Sequence, residues 1–177
     1  MKSIIKLITA IALILQTGIS TAHSPNPMQA FLDLKGHWEG KVDLNLGGTQ
    51  FNVTYLLDFE KASDNNAVVM YEKCTIPGVG TLNGSNLIGY DPYDGKYHWF
   101  SVDNFGTTHD HIGSFSDPAH FYMEHQSVRE GSVFLEKIWI DWINANSVKI
   151  KLIATTNGVV EQTLEGVFKR KGNGNSQ

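Results

Sequence analysis

The chain has 177 residues, of which 41% are hydrophobic and 18% charged, with a formal net charge of −4. That length predicts one domain of ordinary size with its own hydrophobic core. The acidic balance, with no zinc-finger spacing and no phosphate-loop glycine motif, excludes a nucleic-acid partner held by charge.

The N-terminus reads as an export signal. Lys2 and Lys6 give a basic start, and Leu7 to Ala22 carries no charge and is rich in Ile, Leu and Ala. Small residues at Ser20 and Ala22 place cleavage before His23, so residues 1–22 are expected to be a signal peptide. The uncharged run contains Gln16, Thr17, Ser20 and Thr21 and is too short and polar to span a bilayer comfortably. The expectation is a periplasmic or secreted protein with no stable membrane insertion after cleavage. Without Lys2 and Lys6 the 14 basic residues become 12 against 18 acidic ones, a net charge of −6. Cys74 is the sole cysteine, so no internal disulfide forms; in a strand it reads as a small buried hydrophobe. Residues 23–171 are expected to form a single domain. The stretch 172–177 holds only Gly, Asn, Ser and Gln and is expected to be a disordered tail.

Within the domain a short helix comes first. Asn26 can cap it, Pro27 suits its first turn, and Gly36 can end it after Met28, Phe31, Leu32 and Leu34. From His37 the period changes to two. Val42, Leu44 and Leu46 alternate with polar residues, and Gly47-Gly48 makes a tight hairpin. Phe51, Val53, Tyr55, Leu57 and Phe59 then share one face of the clearest strand. Eight further strands are expected near 67–75, 81–89, 96–103, 107–115, 119–128, 132–142, 147–155 and 159–171. Turn signals such as Pro77-Gly78, Glu130-Gly131, Asn144-Ala145-Asn146 and Asn157-Gly158 separate them. About ten short strands and one short helix predict an all-β fold. Closing them into an antiparallel up-and-down barrel removes the edges that an open sheet would expose.

Two stretches carry a family resemblance. Gly36-His37-Trp38-Glu39-Gly40 resembles the Gly-x-Trp signature of lipocalin-like (calycin) barrels. Gly89-Tyr90-Asp91-Pro92-Tyr93-Asp94-Gly95-Lys96-Tyr97-His98-Trp99, followed by Asp103 and Gly106-Thr107, is similar to a bacterial family of lipocalin-like domains of unknown function. Phe168-Lys169-Arg170-Lys171 fits the close of that family. The resemblance implies a barrel with an internal cavity and no established reaction. It also implies that Trp38 packs across the closed end beneath Arg170 as a cation–π pair. Nitrobindin-like haem barrels share the Gly-x-Trp-x-Gly start. A late-strand His to ligate haem is missing here, because the last His, His125, has 52 residues after it. No cofactor is expected.

The chemistry-bearing candidate is Thr107-Thr108-His109-Asp110-His111, where His109 and His111 share one strand face. Two imidazoles are half of a metal site, since zinc needs a third protein ligand that local spacing does not supply. The alternatives are histidines lining a polar cavity and histidines on a wet surface. If Asn104-Phe105-Gly106 is a three-residue turn with Gly in the left-handed position, Ser101 faces His109 and Trp99 faces His111. One face then collects Tyr97, Trp99, Ser101, Asp103, His109 and His111. A one-residue slip would swap the whole set. Aromatic surface with a few polar groups is the usual make-up of a small-molecule pocket. Trp139 and Trp142, in the mostly apolar stretch 133–143, read as core or barrel-wall packing.

The leading expectation is therefore an exported lipocalin-like barrel that binds a small, partly apolar molecule. The alternative is an enzyme of the same fold, using His109 or His111 as a general base oriented by Asp103, or metal-assisted chemistry. No residue is assigned as catalytic and none as a resident metal ligand. The sequence leaves the oligomeric state open.

Overall fold

A computed structural model describes residues 26–172. The expected signal segment, and all but Gly172 of the expected tail, lie outside them. Ten strands form one closed antiparallel barrel: β1 (Gly36–Leu46), β2 (Thr49–Ala62), β3 (Ala67–Ile76), β4 (Gly80–Asp91), β5 (Lys96–Asp103), β6 (Thr108–Asp117), β7 (His120–Arg129), β8 (Ser132–Asn144), β9 (Ser147–Thr156) and β10 (Val159–Arg170). Each strand pairs with its neighbour in sequence, and β10 closes on β1 from Trp38↔Arg170 to Leu46↔Gln162. The fold is thus the up-and-down, lipocalin-like barrel that the alternation predicts.

Local chemistry explains the connections. Gly47 and Gly48 take φ of 56° and 89°, the left-handed pair that a two-residue hairpin requires. Along β2, Val53, Tyr55, Leu57 and Phe59 are buried while Asn52, Leu56 and Glu60 face out or lie at the wall, so the period of two is read directly as inside and outside.

The helix is shorter than expected. The α-helical turn α1 covers only Gln29–Leu32. Its start is held by Asn26, whose side-chain oxygen accepts from the Met28 N–H at 2.8 Å. Leu34 and Lys35 then bond back three residues, tightening the chain before Gly36 turns it into β1 at φ of 118°. One turn suffices because its task is to insert a plug. Phe31 is completely buried, with the rings of Tyr97, Trp99, Phe115, Phe121 and Trp142 at centroid distances of 5.1–6.1 Å.

Arg170 fastens this end. Its guanidinium lies 4.4 Å from the Trp38 ring centroid and donates to the carbonyls of Asp33 and Lys35. The Trp38 indole N–H donates to the Leu34 carbonyl at 2.7 Å. The expected Trp38–Arg170 stack is therefore present, and it ties the first strand, the last strand and α1 together. Trp142 packs inside against Phe31, whereas Trp139 lies half-buried at the wall beside Tyr122 and Lys151.

Candidate functional site

With one end plugged, the barrel keeps a cavity of about 340 Å³ that reaches towards the opposite hairpins. Leu57, Met123, Ile150, Leu152, Leu164 and Phe168 supply much of its apolar wall. Alternation brings these side chains inward, and it brings two polar clusters inward as well.

The first cluster stands on β5, β6 and β8. The β5–β6 turn has Gly106 at φ of 85°, and the register pairs Ser101 with His109 and Trp99 with His111. His109 and His111 therefore point into the barrel and are buried. Glu136, only 7% exposed, enters from β8. Its Oε1 accepts from His109 Nδ1 at 3.1 Å and from His111 Nε2 at 2.6 Å. Burial pushes the Glu136 carboxyl upward, but the hydrogen bonds from the two imidazoles outweigh it and hold its pKa at about 2.

Arg129, at the end of β7, donates to His109 Nε2 at 2.6 Å and lies 3.7 Å over the Phe134 ring. Arginine has no acceptor, so Nε2 must present its lone pair and the His109 proton resides on Nδ1, facing Glu136. His125 stacks on His109 at 4.6 Å, and its Nδ1 bonds the Asp110 carbonyl at 3.0 Å. That bond stands where the β6–β7 ladder ends, at Ile112↔Glu124. Burial lowers the His125 pKa.

The second cluster stands on β2 to β5. Tyr55 donates its hydroxyl to Glu72 Oε2. Asn86, 3% exposed, makes all four of its hydrogen bonds. Its amide donates to Glu72 Oε1 at 3.1 Å and to the Met70 carbonyl at 3.2 Å. Its oxygen accepts from Trp99 Nε1 at 2.8 Å and Ser101 Oγ at 2.6 Å. Burial raises the Glu72 pKa, and the bonds from Tyr55 and Asn86 recover only part of that shift. Burial likewise raises the Cys74 thiol, which leaves it a poor nucleophile.

Of the six residues expected on one face, Trp99, Ser101, Asp103, His109 and His111 line the cavity. Tyr97 does not. It shares their strand face but lies one layer deeper, where its hydroxyl donates to the Pro27 carbonyl at 2.6 Å and its ring packs on Phe31. Asp103 stands at the mouth, and its Oδ1 accepts from the Phe105 and Thr107 amides at 2.8 and 3.0 Å. Its carboxylate shapes the turn, and Glu136 is the group that orients the imidazoles.

Glu136, Glu72 and Asn86 were missed by sequence reasoning. Their signal was a polar residue on the apolar phase of a strand: Glu136 among Phe134, Ile138 and Ile140, and Asn86 beside Ile88. Chemically, the first cluster can hold a proton between a carboxylate and two imidazoles, or a cation in its place. The second offers a carboxyl biased towards its protonated form.

No family model matches the chain, and no curated protein matches it. Among the solved structures that share its fold are two with low sequence identity. The crystal structure of Rv2717c from M. tuberculosis superposes with a TM-score of 0.61 at 14% identity, covering 84% of this chain and 99% of that one. The S-type phycobiliprotein lyase CPES from Guillardia theta gives a TM-score of 0.58 at 11% identity, covering 81% and 91%. At such identities the likeness is one of fold, and it fits the lipocalin-like (calycin) barrel.

Proposed function

We propose that this protein is an exported barrel that takes a small, partly apolar molecule into its cavity. The observation that carries this is the cavity itself: about 340 Å³, largely apolar, with its buried hydrogen-bonding groups gathered in two clusters. That volume and that lining are typical of a small-molecule site. Glu136 accepts both imidazoles on Oε1, and its Oε2 takes no hydrogen bond from the described residues, which leaves an acceptor for a ligand's polar group. The basic start and uncharged run of residues 1–22 support export to the periplasm or beyond. The stretch from Gly89 to Trp99 supports membership of the bacterial lipocalin-like family that it resembles.

The test uses a neutral apolar fluorophore, N-phenyl-1-naphthylamine, titrated into the mature protein in EDTA-containing buffer. Saturable enhancement is expected. Leu152→Trp, which fills the cavity from β9, should weaken it by about tenfold or more while secondary structure is retained. No saturable binding to the wild type, or equal binding to the variant, overturns the reading.

A further inference from the structure

We propose that His109, His111 and Glu136 form a site for one divalent first-row transition-metal ion of the zinc type. The three groups are buried, and one ligand atom from each lies within 4.8 Å of the others. Two imidazoles and one carboxylate are a common ligand set for such ions, and they leave positions open for water or a ligand donor. Tetrahedral ligand bonds of about 2.1 Å put neighbouring donor atoms about 3.4 Å apart. The two nitrogen–oxygen separations here, 3.1 and 2.6 Å, are those of a hydrogen-bonded site, which an ion would spread by about half an ångström. A metal ion would replace the two N–H protons now shared with Glu136 Oε1.

A second observation points the same way. Glu136 is a buried carboxylate that uses one oxygen twice, and its other oxygen has no protein partner among the described residues. An anion held in that manner suits a multivalent cation better than two imidazole donors alone. The third ligand was out of reach of sequence spacing because it comes from β8, 25 residues after His111. The site borders the cavity, so an open coordination position would face the molecule proposed to enter it.

Arg129 gives the site a competitor. By donating to His109 Nε2 it keeps the proton on Nδ1, the nitrogen nearest Glu136. Metal binding through Nδ1 moves that proton to Nε2, where it would face a guanidinium N–H. Arg129 must then swing away. It stands at the exposed rim, at the end of β7, where such a movement is open to it.

The experiment titrates Co(II), and then Zn(II) in competition, into tag-free mature protein stripped with EDTA and dialysed into chelator-free buffer. Visible ligand-field absorption and metal analysis are the readouts. One equivalent is expected. Glu136→Gln should weaken it about tenfold or more, because the anionic ligand is lost while a hydrogen-bond acceptor stays. Arg129→Ala should tighten it by about tenfold, the scale of removing a charge-assisted hydrogen bond. His98→Ala, which breaks the surface grouping of Asp91, Asp94 and His98, should change nothing. Absence of saturable binding, equal affinity in Glu136→Gln, or loss on His98→Ala overturns the proposal. Should Glu136→Gln fail to fold, Arg129→Ala decides alone, and unchanged affinity sinks it. The fluorophore titration contains EDTA, so either proposal can fail without the other.

Discussion

Two carboxylates face the same cavity and are driven in opposite directions. Glu136 is held at about 2, and Glu72 is raised above its ordinary 4.5. Burial pushes both upward, so burial does not separate them. The partners do. Glu136 meets two imidazoles on one oxygen, and His111 faces an oxygen acceptor at each of its ring nitrogens, whereas Glu72 meets a phenol and an amide that offer only neutral hydrogen bonds. In a low-dielectric interior a neutral donor lowers the cost of a buried charge, and a cationic donor can cancel it. The β6–β8 wall is thereby built round an ionised carboxylate, and the β2–β5 wall is a hydrogen-bonded scaffold for Trp99 and Ser101.

Breaking the ionic wall should have the larger effect. Glu136→Ala leaves the two buried imidazoles without the carboxylate they share and should cost about 3–5 kcal/mol. Urea denaturation at neutral pH reads it. The pH dependence has a defined sign. A carboxyl that is lower in the folded chain than its ordinary 4.5 contributes stability fully above pH 4.5. That contribution is lost as pH falls towards about 2. The stability difference between wild type and Glu136→Gln should therefore shrink across that window. A constant difference would show that Glu136 is not ionised in the folded protein.

The scaffold wall should answer with the opposite sign and a smaller size. Glu72 binds its proton more tightly folded than unfolded. Its favourable contribution is present below pH 4.5 and is lost as pH rises through the raised folded value. Glu72→Gln keeps an acceptor for Asn86 and a partner for Tyr55. It should stabilise the protein at neutral pH and flatten that decline, as followed by thermal melts across pH. A Glu72→Gln protein less stable than wild type at neutral pH would place Glu72 among the ionised, compensated carboxylates.

The smallest effect belongs to Ser101→Ala. It removes one of two donors to the Asn86 oxygen while Trp99 keeps the other, and should cost about 0.5–1.5 kcal/mol in a denaturant titration. A cost as large as that of Glu136→Ala would mean that the scaffold wall, too, depends on every member.

The barrel was largely legible in the chain. Alternation, Gly-Gly and Asn-Gly turns and the three-residue turn at 104–106 each act over a few residues, and all select the same hairpin register. The site was legible only where its residues share one hairpin: Trp99, Ser101, His109 and His111 face each other because β5 and β6 are adjacent in sequence. Tyr97 was assigned to the cavity from the same alternation. Period two tells inside from outside but says nothing of depth, and depth is set by how far α1 carries Phe31 into the barrel.

By itself the sequence determined the period, the turns, the strand count, and hence a closed barrel with His109 and His111 on one strand face. Only the tertiary structure decided that this face looks inward and that Asp103 is committed to its own turn. It also decided that Glu136, from a strand two places round the barrel, is the anion that both histidines share. A strand pattern fixes which side of the sheet a residue takes. Which groups meet across the interior follows from closure, shear and the plug, and those act on the whole barrel at once.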